Sequence, residues 1–463
     1  MLSGEDATHR TEAETLSPAE TRRALWVAAI AWGIFGSAWV NLITGAPFVN
    51  FARSLGASTF MFGLLSSLPF LGVLAQLPSS YVVERIRRRR RLFLVCGSSQ
   101  RLVWFGVAAL PWVIPDRYQD ARVGTLLGLV ILSSTLGNAG TPAWLSWFAD
   151  MVPERIRGRY LGNRAALATV TAVVASGTVG WVLDRNSSFP VFTAIFAIAA
   201  VLGVTDLMLF LLVRETPMAG DQQRLQLGSV IMGPLRNRPF RGYLLYALSE
   251  ALMFGIAGPF FWLMGLEVLD IGNFYSNLYI MMVPMVFTAL ALPLWGNVCD
   301  RFGSKPLVTL GTVMSIIFPV CWLLATGERY HTLLAVSAIV GGAFGAAIQV
   351  ADMNMLFSLT PQRTRSAYIA TLSVAASLGW VVAPSVGGAV AQALRSVHVH
   401  FAGRTFVNLH FLMVISIAAR LLHVLLVVPR LPEEPKQTTG ALIQSLCCWP
   451  WERIKSMLWR PQG

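Results

Sequence analysis

Arg101, Asp206, Glu250, Asp352 and Arg420 are the clear cases of charged residues inside long apolar stretches of this chain. A charge in hydrocarbon is expensive, so each needs a partner, a wet cavity or an interface to reach for. A carboxyl group so placed can gain and lose a proton as its surroundings change. Aromatic and amide side chains share these stretches. The first apolar stretch carries Trp32, Trp39 and Asn41, and the fourth carries Asn138, Trp144 and Trp147. The seventh carries Phe254, Phe261 and Trp262, and the tenth Gln349 and Asn354. A pocket of indole and phenyl faces with a few amides and one or two carboxylates suits an amphipathic or aromatic solute, cations included, through stacking and cation–π contact. The competing role for Trp144, Trp147 and Trp262 is anchoring at a membrane interface, and for most of the other aromatics plain packing.

Other chemistries have no foothold. There is no G-x-x-x-x-G-K-[ST] phosphate loop and no Ser/His/Asp or His/Cys constellation. The five cysteines, Cys96, Cys299, Cys321, Cys447 and Cys448, have neither metal-ligand spacing nor the pattern of a disulfide framework. The expectation is a protein that is not an enzyme, with no cofactor and no metal.

Composition says what must position these residues. Of 463 residues, 55% are hydrophobic and only 13% charged, against about a quarter charged in soluble domains. Mean hydropathy is +0.60. Twelve apolar windows, each long enough to cross about 30 Å of hydrocarbon, centre on 24–44, 60–81, 92–113, 123–148, 160–183 and 189–213, then 242–265, 274–296, 307–326, 332–357, 367–390 and 405–428. The expected fold is an all-α polytopic membrane protein. Residues 1–23 read as a cytoplasmic tail without the apolar core of a signal peptide, 24–213 as a six-helix bundle, 214–241 as a cytoplasmic connector, and 242–428 as a second bundle. The final stretch, 429–463, reads as a tail whose 441–459 segment mixes Leu, Ile and Trp with Arg453 and Lys455, the make-up of an interfacial helix.

The basic residues orient the chain. Connections on the amino-terminal side hold Arg85, Arg87–Arg91, Arg155, Arg157, Arg159, Arg164, the arginines of the connector, Arg301, Lys305, Arg363 and Arg365. The other side holds only Arg53, Arg117, Arg122, Arg185, Arg329, Arg395 and Arg404. Positive charge stays on the cytoplasmic side, so both termini are expected there, in an inner (plasma) membrane. The formal net charge of +13 then reflects topology and attraction to anionic lipid, not a nucleic-acid surface.

Two motifs carry a resemblance. Between the eighth and ninth windows the chain reads WGNVCDRFGSKP, placing Gly296, Asp300, Arg301, Gly303 and Lys305 in a Gly-x-x-x-Asp-Arg-x-Gly-x-Lys pattern. A degenerate copy at Glu84 and Arg85 follows the second window, with Ser80 and Arg87 where glycines would stand. The pattern Pro-x-Arg-x-Arg-x-x-Tyr also occurs twice, at Pro153–Tyr160 and at Pro361–Tyr368. With two six-span halves in a parallel repeat, the chain resembles the major facilitator superfamily of transporters over 24–428. The resemblance implies a monomeric secondary transporter working by alternating access. It also implies that Glu84, Arg85, Gly296, Asp300, Arg301, Gly303, Lys305, Arg155, Arg157, Arg363 and Arg365 form a cytoplasmic gate. Asp300, at a helix carboxy-terminus that disfavours an anion, would pair there with Arg301, Arg363 or Arg365. The alternative is that the arginines anchor their loops to phosphate headgroups.

Family architecture further sets spans one, four, seven and ten around the cavity. That makes Glu250, Asp352, Asn41, Asn138, Gln349, Trp39 and Trp144 the substrate or coupling candidates. It leaves Arg101, Asp206 and Arg420 as structural, paired across helices or snorkelling. The functional expectation is movement of a small solute, with proton-coupled efflux (antiport) of amphipathic or drug-like compounds first. Uptake of a small metabolite comes second, and a non-transporting sensor or lipid-handling protein third. Protons and membrane lipids are the other expected partners.

Overall fold

The computed structural model describes residues 17–86, 88–215, 233–326, 330–360, 365–401, 403–432 and 438–447. Among them are twelve helical segments long and apolar enough to cross a membrane. Spans one to six are Pro18–Ser54, Thr59–Val83, Arg89–Val113, Asp116–Met151, Arg157–Arg185 and Phe189–Leu212. Spans seven to twelve are Arg238–Val268, Gly272–Phe302, Ser304–Leu324, Tyr330–Leu359, Tyr368–Ala393 and Asn408–Arg430.

Most spans outrun their apolar windows. Span one starts six residues before its window: the Ser17 hydroxyl accepts from the Glu20 N–H, the Glu20 carboxylate accepts from the Ser17 N–H, and Pro18 occupies the first turn. It also continues past its expected end. The helix breaks at Thr44 and Gly45, where φ is +67°, and resumes over Ala46–Ser54.

The chain forms two compact units. The first comprises Met1–Ala57 with Leu68–Arg224, the second Ser58–Ser67 with Leu225–Gly463. In the first unit, spans three and four pack along one another, span six lies on three, and span one packs against five and six. Its core gathers Ala24, Ala28, Ala31, Trp147, Met151 and Phe210. Trp147 is fully buried and meets Phe93, Trp144 and Phe210 at centroid distances of 6.3, 6.5 and 5.8 Å. It is therefore core, not a belt anchor.

In the second unit, span eight packs on ten, ten on nine, and seven on eleven. Spans eight and ten approach closely at a small residue, Gly342. A Cβ on Gly342 would fall 2.4 Å from the Pro284 carbonyl, whereas one on Gly345 would meet nothing. Residues Thr59–Ser67 join this unit, with Ser67 Oγ and Ser385 Oγ 2.7 Å apart. A short hairpin, β1 (Val399–Phe401) and β2 (Arg404–Phe406), precedes span twelve. Arg404 ties it back to the end of span nine through Leu324 O and Thr326 Oγ1. In the tail, Thr439–Cys447 is helical and buries Leu442 fully in this unit's core. That part of the expected interfacial segment is docked, and 448–459 lie outside the described residues.

The repeated Pro-x-Arg-x-Arg-x-x-Tyr pattern has a structural reason in both units. The Tyr160 hydroxyl donates to Leu25 O at 2.8 Å, tying the start of span five to that of span one. The Tyr368 hydroxyl accepts from Asn237 Nδ2 at 3.2 Å, tying the start of span eleven to that of span seven. Asn237 itself caps span seven by accepting from the Phe240 N–H.

Candidate functional site

Two constellations emerge, one in each unit. In the second, Tyr246 and Glu250 stand one helical turn apart on span seven, which sets both side chains on one face. Opposite, on span ten, is Asp352. The Tyr246 hydroxyl donates to Asp352 Oδ1 at 3.0 Å, and the Tyr243 hydroxyl donates to the Asp352 backbone carbonyl at 2.8 Å. The Glu250 carboxyl interacts electrostatically with the Asp352 carboxyl and with Tyr246. Both carboxyls are half-buried, while Tyr243 and Tyr246 are buried and stack at 5.9 Å. Among the described residues no arginine or lysine pairs with Glu250 or Asp352. Two neighbouring carboxylates without a basic partner repel one another, and a proton shared between such a pair relieves the repulsion. Buried His423 of span twelve completes the cluster, its Nδ1 2.9 Å from Ser249 Oγ and its ring 5.2 Å from Tyr246.

The first unit holds a partly open cavity of about 310 Å³ among spans one, three, four, five and six. Four tryptophan and amide positions singled out from sequence line it: Trp32, Trp39, Asn138 and Trp144. Asn138 accepts from Gln76 Nε2 at 2.8 Å and donates to Ser134 O at 2.9 Å. Trp144 stacks on Phe93 at 4.9 Å. Span one carries a π-helical stretch over Ala31–Gly36 beside the cavity, a local widening often met at functional sites.

Arg101 and Asp206 pair across spans three and six, Nη2 to Oδ2 at 3.3 Å, both buried. Pairing was expected of them, yet they also line the cavity. Arg420 finds no carboxylate among the described residues. It donates to Met253 O and Ser416 and lies 4.9 Å over the Phe254 ring.

Other candidates are taken up by packing. Asn41 is buried, donates to Ser37 O at 2.8 Å and accepts from Ser176 Oγ at 3.0 Å, joining spans one and five. Phe261 is buried against Phe318 and Trp322. Gln349 is exposed on span ten. Asn354 braces the turn between spans eight and nine, donating to Ser304 Oγ at 2.9 Å.

That turn is built as its residues require. Gly303 has φ +87°, a region that favours glycine, and its N–H reaches Cys299 O at 2.8 Å. Asp300 is exposed in the last turn of span eight, and Arg301 lies over Phe302. Lys305 donates to Pro429 O at 2.8 Å, placing a cation at the carbonyl end of span twelve. Gly296 borders open space. In the first unit, Arg157 donates to Ala149 O and Val152 O, closing the end of span four. Arg85 and Arg155 are exposed. The side chains of Glu84 and Arg365, and Arg363 altogether, lie outside the described residues. The arginine run after span two is partly internal: Arg89 is buried, with Nη1 2.6 Å from Asp150 Oδ2.

The family model of the Major Facilitator Superfamily matches residues 24–287 and 278–459. The chain belongs to the Major Facilitator Superfamily. A superfamily member is a transporter of small-molecule solutes, integral to a membrane and not an enzyme. The chain is 23% identical over 369 residues to the multidrug resistance protein MdtG of Salmonella paratyphi B, covering 77% of this chain and 81% of MdtG. It is 19% identical over 178 residues to the quinolone resistance protein NorA of Staphylococcus aureus, a match that spans 38% of this chain and 41% of NorA, under half of either. A mutant of the nucleoside transporter NupG superposes with a TM-score of 0.69 at 12% identity, covering 89% of this chain and 99% of NupG. The D-xylose–proton symporter gives 0.67 at 17% identity, covering 90% and 99%. At such identities the superpositions establish the fold.

Proposed function

We propose that this superfamily member is a proton-coupled secondary transporter of amphipathic, aromatic solutes, working as an efflux antiporter. The observation that carries the coupling is the interacting carboxyl pair Glu250–Asp352, with Tyr246 hydrogen-bonded to Asp352 and no basic partner among the described residues. Such a pair takes up and releases one proton while changing its own hydrogen bonding, so a conformational change can follow its charge. The likeness to resistance proteins MdtG and NorA and the tryptophan-lined cavity of the first unit favour an amphipathic solute and outward movement.

The loop residues Asp300, Arg301, Arg363 and Arg365, with Glu84, Arg85, Arg155 and Arg157 in the other half, serve in this reading as the cytoplasmic latch, around turns held by Gly303 and Lys305. The protein acts as a monomer in the plasma membrane, with both termini in the cytoplasm. The test is flux in proteoliposomes. An imposed pH gradient across vesicles holding the purified protein drives uphill movement of a fluorescent amphipathic dye, and dissipating the gradient with an ionophore abolishes it. Equal dye movement with and without the gradient defeats the coupling, and no movement of any solute defeats the transport reading.

A further inference from the structure

The cavity in the first unit has a charge signature that narrows the expectation of an amphipathic or aromatic solute, cations included. Three ionisable side chains line it: Arg101, Arg164 and Asp206. Asp206 is engaged by Arg101 at 3.3 Å. Arg164 makes no ion pair at contact distance among the described residues, although the Asp206 carboxylate also acts on it electrostatically. Its Nε donates to Ala28 O at 3.2 Å, which leaves the terminal nitrogens of its fork without a hydrogen bond among the described residues. The guanidinium sits 5.7 Å from the rings of both Trp32 and Trp144 and 5.0 Å from Phe148.

A second donor points the same way. Trp39 is 5% exposed and lines the cavity, and its indole N–H has no acceptor among the described residues. An arginine fork and an indole N–H are donors only. A cavity with unpaired donors and a net positive charge is completed by an acceptor-rich anion, and the flanking indoles add an apolar slot for a flat ring. A planar guanidinium matches a carboxylate, sulfonate or phosphate edge in two-point fashion.

We propose that this cavity binds amphipathic aromatic anions, with Arg164 gripping the anionic group and Trp32 and Trp144 flanking the ring. The inference deepens the transport reading by giving the sign of the solute, but it is a statement about binding and is tested as such. The full-length protein is placed in nanodiscs of neutral phosphatidylcholine. Three probes with the same ring system are measured by equilibrium dialysis: 2-naphthalenesulfonate, 2-naphthylmethanol and the 2-naphthyltrimethylammonium cation.

The wild type is expected to bind the sulfonate at least tenfold more tightly than the cation. Arg164→Gln lowers sulfonate affinity about tenfold, roughly 1.4 kcal/mol, and leaves the alcohol unchanged. The alcohol thereby reports that the variant is folded. Arg164→Lys, which keeps the charge and loses the fork, falls between them. Thr141→Asp, adding a carboxylate at the cavity wall without touching Arg164, inverts the preference toward the cation. Repeating the series in phosphatidylglycerol nanodiscs distinguishes a soluble anion from a lipid headgroup, since only the latter competes with the sulfonate as the mole fraction of lipid rises. A wild type that prefers the cation, binds no sulfonate, or binds it equally well after Arg164→Gln overturns the assignment. If the sulfonate binds as expected while no solute crosses proteoliposomes, the transport reading fails and the binding site stands.

Discussion

Asp206→Asn isolates the buried ion pair of the first unit. Arg101 Nη2 and Asp206 Oδ2 are 3.3 Å apart, and the two residues are 7% and 4% exposed. At an effective dielectric constant of about 20, unit charges at that distance attract by about 5 kcal/mol, most of it spent on desolvating both groups. Removing one charge forfeits the attraction while leaving the other ion in place, a loss of about 3–5 kcal/mol. Two contacts soften it. The asparagine carbonyl still accepts from Arg101, and the guanidinium keeps its place 3.8 Å over the Trp39 ring. The expected loss is therefore at the lower end, about 3 kcal/mol, which for a unit of this size lowers Tm by roughly 6–12 °C. Thermal unfolding of purified protein in detergent, followed by a thiol-reactive dye, measures it. The double variant Arg101→Met with Asp206→Leu removes both charges and should recover most of the loss. An Asp206→Asn protein within roughly 2 °C of wild type, or a double variant no better than the single one, would refute the view that this pair matters through its charge.

Three further outcomes are expected. Asp300→Asn slows solute transport in proteoliposomes with normal membrane insertion, and Glu84→Gln slows it less, because the loop around Glu84 lacks both glycines; equal rates for Asp300→Asn and wild type remove Asp300 from the latch. In a background free of native cysteines, cysteines introduced near Arg224 react with an impermeant maleimide only from the cytoplasm and those near Arg395 only from outside, and the reverse pattern overturns the orientation. Gly342→Ala forces a Cβ to within 2.4 Å of the Pro284 carbonyl and should cost about 1–3 kcal/mol, whereas Gly345→Ala is neutral; matching thermal stabilities for the two variants contradict the packing of span eight on ten.

Span number and the two-half plan were legible in the chain because an apolar window of about 20 residues has few other uses. The turn at Gly303 was legible too, since a helix that stops and restarts within one residue needs a glycine there. Neighbour relations were not. Trp144 and Trp147 stand one turn apart on span four, yet one lines a cavity and the other is fully buried. In a helix apolar all round, periodicity does not separate those faces. Arg101 and Asp206 read as peripheral because their spans are, and only the packing of span six on three brings them to the cavity wall. Asn41 and Asn354 carried the polar signature of a pocket, but a buried amide is equally at home joining two helices. Arg164 was counted as a loop arginine although it lies two turns into span five, and its place inside the 160–183 apolar window was the available signal. The meeting of Glu250 with Asp352 followed from neither spacing nor composition. It depends on spans seven and ten presenting those faces to one another.

The most direct test of the account is Glu250→Gln in reconstituted vesicles, scored for two processes with the same solute. Gradient-driven accumulation requires a group that changes charge during the cycle; counterflow exchange at equal pH requires only the conformational cycle and the solute site. Glutamine keeps the shape and loses the titratable proton. The account predicts that accumulation driven by the pH gradient is abolished while exchange persists near the wild-type rate, and that Asp352→Asn partially weakens both. Full gradient-driven accumulation by Glu250→Gln would contradict it, making Glu250 a structural residue and moving the coupling elsewhere.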